Sequence, residues 1–274
     1  MVTLLSHIAI LGTGNMGGAI LGGLTHASVS CAGVCVTTRT TASAVVLRQR
    51  GIDARSVEED PHANRRAAAE ADIVVLGVKP YQILELLTDI APHAQPSATM
   101  VSVAAGITLG SMEAVWPGAI VRCMPNTPSQ VGKGVTGVSR GSRVSDDQAS
   151  NVEAVFHTVG DVVVVDESAI NVLSSISGSG PAFVYFFIER FMDVALEYGF
   201  SSDQAATMVQ GTFSGAMDLL EHTGQTPGEL REAVTSPGGS TAAALEVFGS
   251  AGLTDIIRTA TAAAIARAEA MAIE

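Results

Sequence analysis

His7-Ile8-Ala9-Ile10-Leu11-Gly12-Thr13-Gly14-Asn15-Met16-Gly17-Gly18-Ala19-Ile20-Leu21 is the stretch whose reading decides the fold. Its first part is a short apolar run rich in Ile and Leu, the pattern of a strand buried on both faces, and its last part opens a helical pattern. The three glycines of G-x-G-x-x-G therefore fall on the turn between a strand and a helix. There each has its own task. Gly12 permits the tight turn, Gly14 lets backbone approach a pyrophosphate, and Gly17 lets helix and strand pack closely. The helix N-terminus adds free N–H groups and a dipole that favours an anion, so the stretch is read as a dinucleotide site.

At 274 residues the chain is long enough for two domains with a substantial core. Hydrophobic residues make up 47% and aromatics only 4%, so the core has to be built from Ala, Val, Ile and Leu. That composition suits parallel strands covered by closely packed helices. The formal net charge of -12 comes without a basic stripe, which argues against nucleic acid or an anionic membrane as partner. Cys31, Cys35 and Cys123 form no C-x-x-C and no His/Cys cluster with ligand spacing. Neither a metal site nor a disulfide framework is expected, and reduced thiols point to a cytoplasmic protein. Residues 2–11 lack the positive flank and the cleavage site of a secretory leader, and no uncharged apolar run reaches the length of a bilayer span.

Strands and helices alternate up to about Asp166, with strands expected at 34–36, 73–78, 99–103, 119–124, 135–138 and 162–165. About 20 residues past the glycines, where an NAD enzyme carries a ribose-binding acid, stands Thr37-Thr38-Arg39. With no carboxylate there and a guanidinium suited to a 2'-phosphate, NADP is favoured over NAD. In an open parallel sheet the ligand crevice lies beyond the carboxyl ends of the strands, which assigns Val78-Lys79-Pro80 and Ala104-Ala105-Gly106 to its border. Pro80 also suits the first position of the following helix. Two prolines make Pro125-Asn126-Thr127-Pro128 a rigid wall of the same crevice, and Ser145-Asp146-Asp147-Gln148 predicts a capping box.

Beyond Asp166 the pattern is helical throughout, which divides the chain into a dinucleotide-binding domain, 1–166, and a helical domain, 167–274. Phe183, Phe187 and Phe191 recur at helical spacing, as do Phe213, Met217 and Leu220, and these stripes read as packing faces. Such a segment is a marginal core by itself, so burial against a second copy is expected through this half. Two turns, 177–181 and 236–241, are each expected to open a helix and to present N–H groups and hydroxyls to a substrate carboxylate.

What is missing bears on the chemistry. The chain has two lysines, Lys79 and Lys133, so the helical half has none, and its one histidine is His222. Reducing a ketone requires a Lys, His or Tyr to protonate an alkoxide-like oxygen. A C=N nitrogen is protonated before hydride arrives, so an imine needs mainly orientation, dry surroundings and an anchor for the rest of the substrate. The residue inventory favours an imine.

In its motifs the chain resembles the pyrroline-5-carboxylate reductases, which make L-proline by reducing a cyclic imino acid with a nicotinamide cofactor. The resemblance runs the length of the chain, through Gly12-Thr13-Gly14-Asn15-Met16-Gly17, Val78-Lys79-Pro80, Ala104-Ala105-Gly106, Met124-Pro125-Asn126-Thr127-Pro128 and Ser177-Gly178-Ser179-Gly180-Pro181-Ala182. Its most specific piece is Val234-Thr235-Ser236-Pro237-Gly238-Gly239-Ser240-Thr241, followed by Ala244-Leu245, although Ser240 stands where Thr is common. The resemblance implies a Rossmann-type, mostly parallel α/β domain followed by an all-helical dimerisation domain. It implies NADPH held by Gly12, Thr13, Gly14, Asn15, Met16, Gly17, Thr38, Arg39, Asn64, Val78, Lys79, Pro80 and Ala104, with NADH also accepted. It places the substrate carboxylate on Ser236, Gly239, Ser240 and Thr241, and gives the Thr241 hydroxyl the ring nitrogen. It also implies a homodimer that assembles into a larger homo-oligomer. Two other readings stay open here: a beta-hydroxyacid dehydrogenase, which needs a lysine the helical half does not have, and a module that senses NADP without turning it over.

Overall fold

Alternation along the first strand sets up the architecture. In the computed structural model, which describes residues 5–26 and 31–273, Ile8 and Ile10 go to one face of a sheet and Ala9 and Leu11 to the other. Successive side chains of a strand point to opposite faces, so a strand apolar at every position must be covered twice. The covering elements follow in order. They are β1 (Leu5–Leu11), α1 (Asn15–His26), β2 (Cys31–Thr38), α2 (Thr41–Gln49), β3 (Asp53–Ser56), α3 (Ala63–Glu70), β4 (Ile73–Leu76) and α4 (Ile83–Ile90). Then come β5 (Thr99–Ser102), α5 (Leu109–Glu113), β6 (Ala119–Met124), β7 (Gly134–Arg140), α6 (Asp146–His157), β8 (Gly160–Val164) and α7 (Ile170–Leu173). The leader-like opening considered above lies partly outside the described residues.

The eight strands form one sheet in the order β3-β2-β1-β4-β5-β6-β7-β8. All neighbours are parallel except β6 and β7. This is a Rossmann-type sheet whose order reverses between β1 and β4, and a crevice opens beyond the strand ends at such a point. One core carries Ile20, Leu21 and Leu24 of α1 and Val152, Val155 and Phe156 of α6. The other carries Ala67 and Ala68 of α3, Ile83, Leu87 and Ile90 of α4 and Met112 of α5. Phe156 and Trp116 are the aromatic side chains among these buried clusters, as the composition requires. Each fully buried Ile or Leu contributes about 2 kcal/mol of transfer free energy.

Four features depart from the expected elements. β3 is an additional strand at the sheet edge, where Arg48 Nε donates to Ala54 O at 2.7 Å and Arg55 pairs with Asp53 and Glu70. Charged cover of this kind shields an edge from pairing with another chain. β4 stops at Leu76, two residues early, and the Gly77 N–H makes the last bond of its ladder with β1, to Leu11 O at 2.8 Å. β7 runs against its neighbour β6.

The fourth is residues 177–181, which open a helix at Gly180 as expected but are preceded by a wide helical turn in place of a loop. Ser174–Gly178 is a π-helical turn continuing α7, and Ser179 N–H donates to Ser174 O at 2.8 Å. Asn126, buried at the end of β6, holds that turn. Its Nδ2 donates to Ser177 O at 3.1 Å and to Ser177 Oγ at 3.3 Å, and its Oδ1 accepts from Val135 N–H at 2.9 Å. Every polar atom of this buried amide is matched, which fixes the wide turn in place. Of the N–H groups before that helix, the one on Ser179 is taken by Ser174 O.

Chain contacts separate Gly180–Ala263 as a second compact unit. It is built from α8 (Gly180–Glu197), α9 (Ser202–Thr223), α10 (Pro227–Ala233), α11 (Ser240–Ser250) and the first part of α12 (Leu253–Ile273). α9 starts with a capping box, Ser201 with Gln204, and α10 with another, Thr226 with Glu229. Phe191 and Phe213 meet edge to face at 5.9 Å between α8 and α9. Few side chains here are buried: Ala195, Ala205 and Val209 among the described residues. Phe183, Phe187 and Phe191 remain 38%, 37% and 46% exposed, so the expected packing stripe has little of its own chain to pack on. No helix among the described residues is long and apolar enough to cross a membrane.

Candidate functional site

The β1–α1 turn is built by backbone approaches that leave no room for side chains. Gly12 adopts φ +99, a left-handed conformation that favours glycine, and its N–H donates to Thr37 O at 3.2 Å. A Cβ on Gly17 would lie 2.1 Å from Gly12 O, and one on Gly77 would lie 2.4 Å from the same oxygen. Helix, turn and the end of β4 thus converge on a single carbonyl. Nothing lies within 4 Å of the place a Gly14 Cβ would take, so the backbone there faces open space.

That space belongs to a cavity of about 560 Å³ at the switch point. Gly12, Thr13, Gly14, Asn15 and Met16 form its floor. Thr38 and Arg39, at the end of β2, form one side with Thr40 and Ser43 of the α2 start. Val78, Lys79 and Pro80 after β4, and Ala104 after β5, form the other. Several expected residues are not among its walls, Gly106 and the stretch Pro125-Asn126-Thr127-Pro128 included. Gly17 sits behind the floor, where it sets the packing, and Asn64 lies on α3 away from the cavity walls, with a buried Oδ1 that has no partner. Thr40, Ser43, Gly77 and Gln82 are walls the sequence reading had not singled out. Thr40 and Ser43 were detectable, since Thr40 caps α2 by accepting from Ser43 N–H, a pairing set by three-residue spacing.

Charge around the cavity is uneven. Arg39 is exposed and has no ion pair or hydrogen bond among the described residues. Glu58 reaches the α2 start from the β3–α3 connection, where its Oε2 accepts from Thr41 N–H at 2.7 Å. That N–H and the Thr41 side chain hold the Glu58 carboxyl below the usual carboxylate range, so it is ionised at neutral pH. Two of the three thiols are held protonated by burial. Burial pushes Cys35 up to about 12 and raises Cys123 well above its ordinary value. No three His, Cys, Asp or Glu side chains among the described residues converge as a metal site requires.

The second unit holds the other candidate residues, all on the turn between α10 and α11. Gly238 adopts φ +70, Gly239 N–H donates to Ser236 O at 3.0 Å, and Gly239 is the N-cap of α11 without a side-chain cap. Ser240 and Thr241 are the first two residues of that helix, and their backbone donors have no partner within it. Among the described residues the hydroxyls of Ser236, Ser240 and Thr241 are unpartnered. The turn therefore concentrates N–H and O–H donors and no acid.

Residues 167–271 match the family described as pyrroline-5-carboxylate reductase dimerisation, and residues 7–106 match the family described as NADP oxidoreductase, coenzyme F420-dependent. The pyrroline-5-carboxylate reductase of Corynebacterium melassecola is 34% identical over 270 residues, covering 97% of this chain and 98% of that protein. The chain belongs to the pyrroline-5-carboxylate reductase family. The structure of a pyrroline-5-carboxylate reductase from Coxiella burnetii matches it with a TM-score of 0.88 at 33% identity, over 96% of this chain and 97% of that one. The Plasmodium falciparum pyrroline carboxylate reductase, whose crystal structure has NADP bound, matches with a TM-score of 0.82 at 26% identity over 99% of both chains. Pyrroline-5-carboxylate reductases thus share with this chain both the mostly parallel sheet and the helical region.

Proposed function

We propose that this protein reduces 1-pyrroline-5-carboxylate to L-proline with NADPH. The observation that carries the reading is the presence, in one chain, of a dinucleotide-shaped crevice at the sheet switch point and a region matching this reductase family's dimerisation part. The residues present fit the cofactor. Gly14 leaves the backbone open to a pyrophosphate, the α1 N-terminus favours its charge, and Arg39 is free to meet a 2'-phosphate.

When bound, NADPH supplies the hydride that C5 of the imine receives. The chain's own residues bind and orient. The N–H groups at the α11 start, with Ser236, Gly239 and Ser240, hold the substrate carboxylate. The Thr241 hydroxyl bonds the ring nitrogen and orients it. The nitrogen carries its proton before C5 accepts the hydride, so the product amine needs no strong acid from the protein, in keeping with a turn made of donors and hydroxyls.

The functional division lies at 166/167, supported by the family match that begins at residue 167. The protein is a homodimer, and its dimers assemble further. The exposed Phe183, Phe186, Phe187 and Phe191 of α8 and the match to a dimerisation family support burial against a second copy. It works in the cytoplasm as a reduced protein, consistent with three free thiols.

Mixing the protein with NADPH and pyrroline-5-carboxylate is expected to bleach the nicotinamide band, faster than with the six-membered ring analogue. Cofactor binding without bleaching would identify a dinucleotide sensor in its place. Arg39→Ser is expected to raise the KM for NADPH about tenfold while leaving that for NADH within about twofold, because only a 2'-phosphate meets the guanidinium. Equal changes for both cofactors would remove Arg39 from that role.

A further inference from the structure

Beside α2 the cavity has Arg39 on its wall, and Glu58, from outside that wall, bonds the N-terminus of the same helix. Thr38 and Arg39 line the cavity, followed by Thr40 and Ser43 at the α2 start. A helix start has unpaired N–H donors, and here two of them are already taken. Ser43 N–H donates to Thr40 Oγ1 at 3.4 Å, and Thr41 N–H donates to Glu58 Oε2 at 2.7 Å. Glu58 comes from 17 positions further along the chain, in the β3–α3 connection. The acid that is absent from the end of β2 is thus delivered to its neighbourhood by another loop.

We propose that Glu58 sets the choice between the two nicotinamide dinucleotides by filling the α2 N-terminus with its own negative charge. This rests on the reading of the cavity as a dinucleotide site. A 2'-phosphate in that position loses the helix N-terminus as a donor and meets a carboxylate of like charge. A plain 2'-hydroxyl meets no such repulsion. Arg39, on the cavity wall, pulls in the other direction. The balance between the two gives a chain able to use both dinucleotides, with a preference that one charge controls.

Calorimetric titration of NADP+ and NAD+ into wild type, Glu58→Gln and Glu58→Ala tests this without turnover. Glu58→Gln keeps an acceptor for Thr41 N–H and so keeps the α2 start, while Glu58→Ala frees that donor. Both variants are expected to shift the ratio of dissociation constants toward NADP+ by about tenfold at low salt, and by less at about 0.5 M salt, where screening shortens the reach of the charge. An unchanged ratio in both variants, with both dinucleotides still bound by wild type, refutes the role of Glu58 and leaves the cavity reading intact. Failure of wild type to bind either dinucleotide removes both.

Discussion

Gly17→Ala is expected to raise the Kd for NADPH by more than about 100-fold and to destabilise the fold by about 3 kcal/mol, the upper end of the cost of overpacking. The added Cβ would stand 2.1 Å from Gly12 O. That oxygen belongs to a backbone that has little freedom to retreat. Gly12 is held in a left-handed conformation, its N–H is bonded to Thr37 O, and Gly77 lies so near the same carbonyl that a Cβ there would fall 2.4 Å from it. To admit a methyl group, α1 must move away from β1, and the turn that receives the pyrophosphate moves with it. Gly14→Ala separates the two effects. With nothing within 4 Å, it should keep wild-type stability and still lose dinucleotide affinity, because its methyl group enters the ligand's space. Denaturant titration alongside NADPH binding checks both. A Gly17→Ala protein that binds NADPH like wild type would show that the turn is not the cofactor's cradle.

Thr241→Ala is expected to lower kcat/KM about 100-fold with the Kd for NADPH unchanged within about twofold, the size of effect typical of losing an orienting or proton-handling group. Thr241→Ser, which keeps the hydroxyl, should recover most of the loss. The split is expected because Thr241 is the second residue of α11, in the second unit, whereas the dinucleotide cavity is lined by residues of the first. Removing a transition-state contact lowers kcat/KM without touching cofactor affinity. Steady-state kinetics with pyrroline-5-carboxylate, together with a cofactor titration, measures both quantities. Undiminished turnover in Thr241→Ala would take the ring nitrogen away from that hydroxyl.

Parts of the molecule that depend on near neighbours in sequence were legible from the residues alone. The strand ending at Leu11 and the helix beginning at Asn15 follow from an apolar run and glycine spacing, and their backbone meets the geometry those glycines anticipate. The capping boxes Ser145 with Gln148 and Thr226 with Glu229 form as their three-residue spacing requires. Most of the cavity wall was legible too, since strand ends in a parallel sheet face one crevice and each apolar run marks its own end.

What escaped was set by partners far away in the chain. β3, four residues with a charge at Asp53 and another at Arg55, is too short for its period to stand out, and it exists because β2 offers a ladder to pair with. Residues 177–181 read as a turn because Gly and Ser are common in turns; a helix does begin there, at Gly180, but residues 177 and 178 end a wide helical turn that Asn126, 51 positions before Ser177, holds in place. Glu58 read as one acid in a polar connection, and only the folded chain brings it to Thr41. The sequence by itself determined the alternation of strand and helix, the glycine turn, the helix caps and the family, because these depend on spacings of a few residues or on whole motifs. Only the tertiary structure decided the direction of β7, the grip of Asn126 and the charge at the α2 start. Those contacts join residues whose separation along the chain carries no periodic signal, and the sheet order alone determines that they meet.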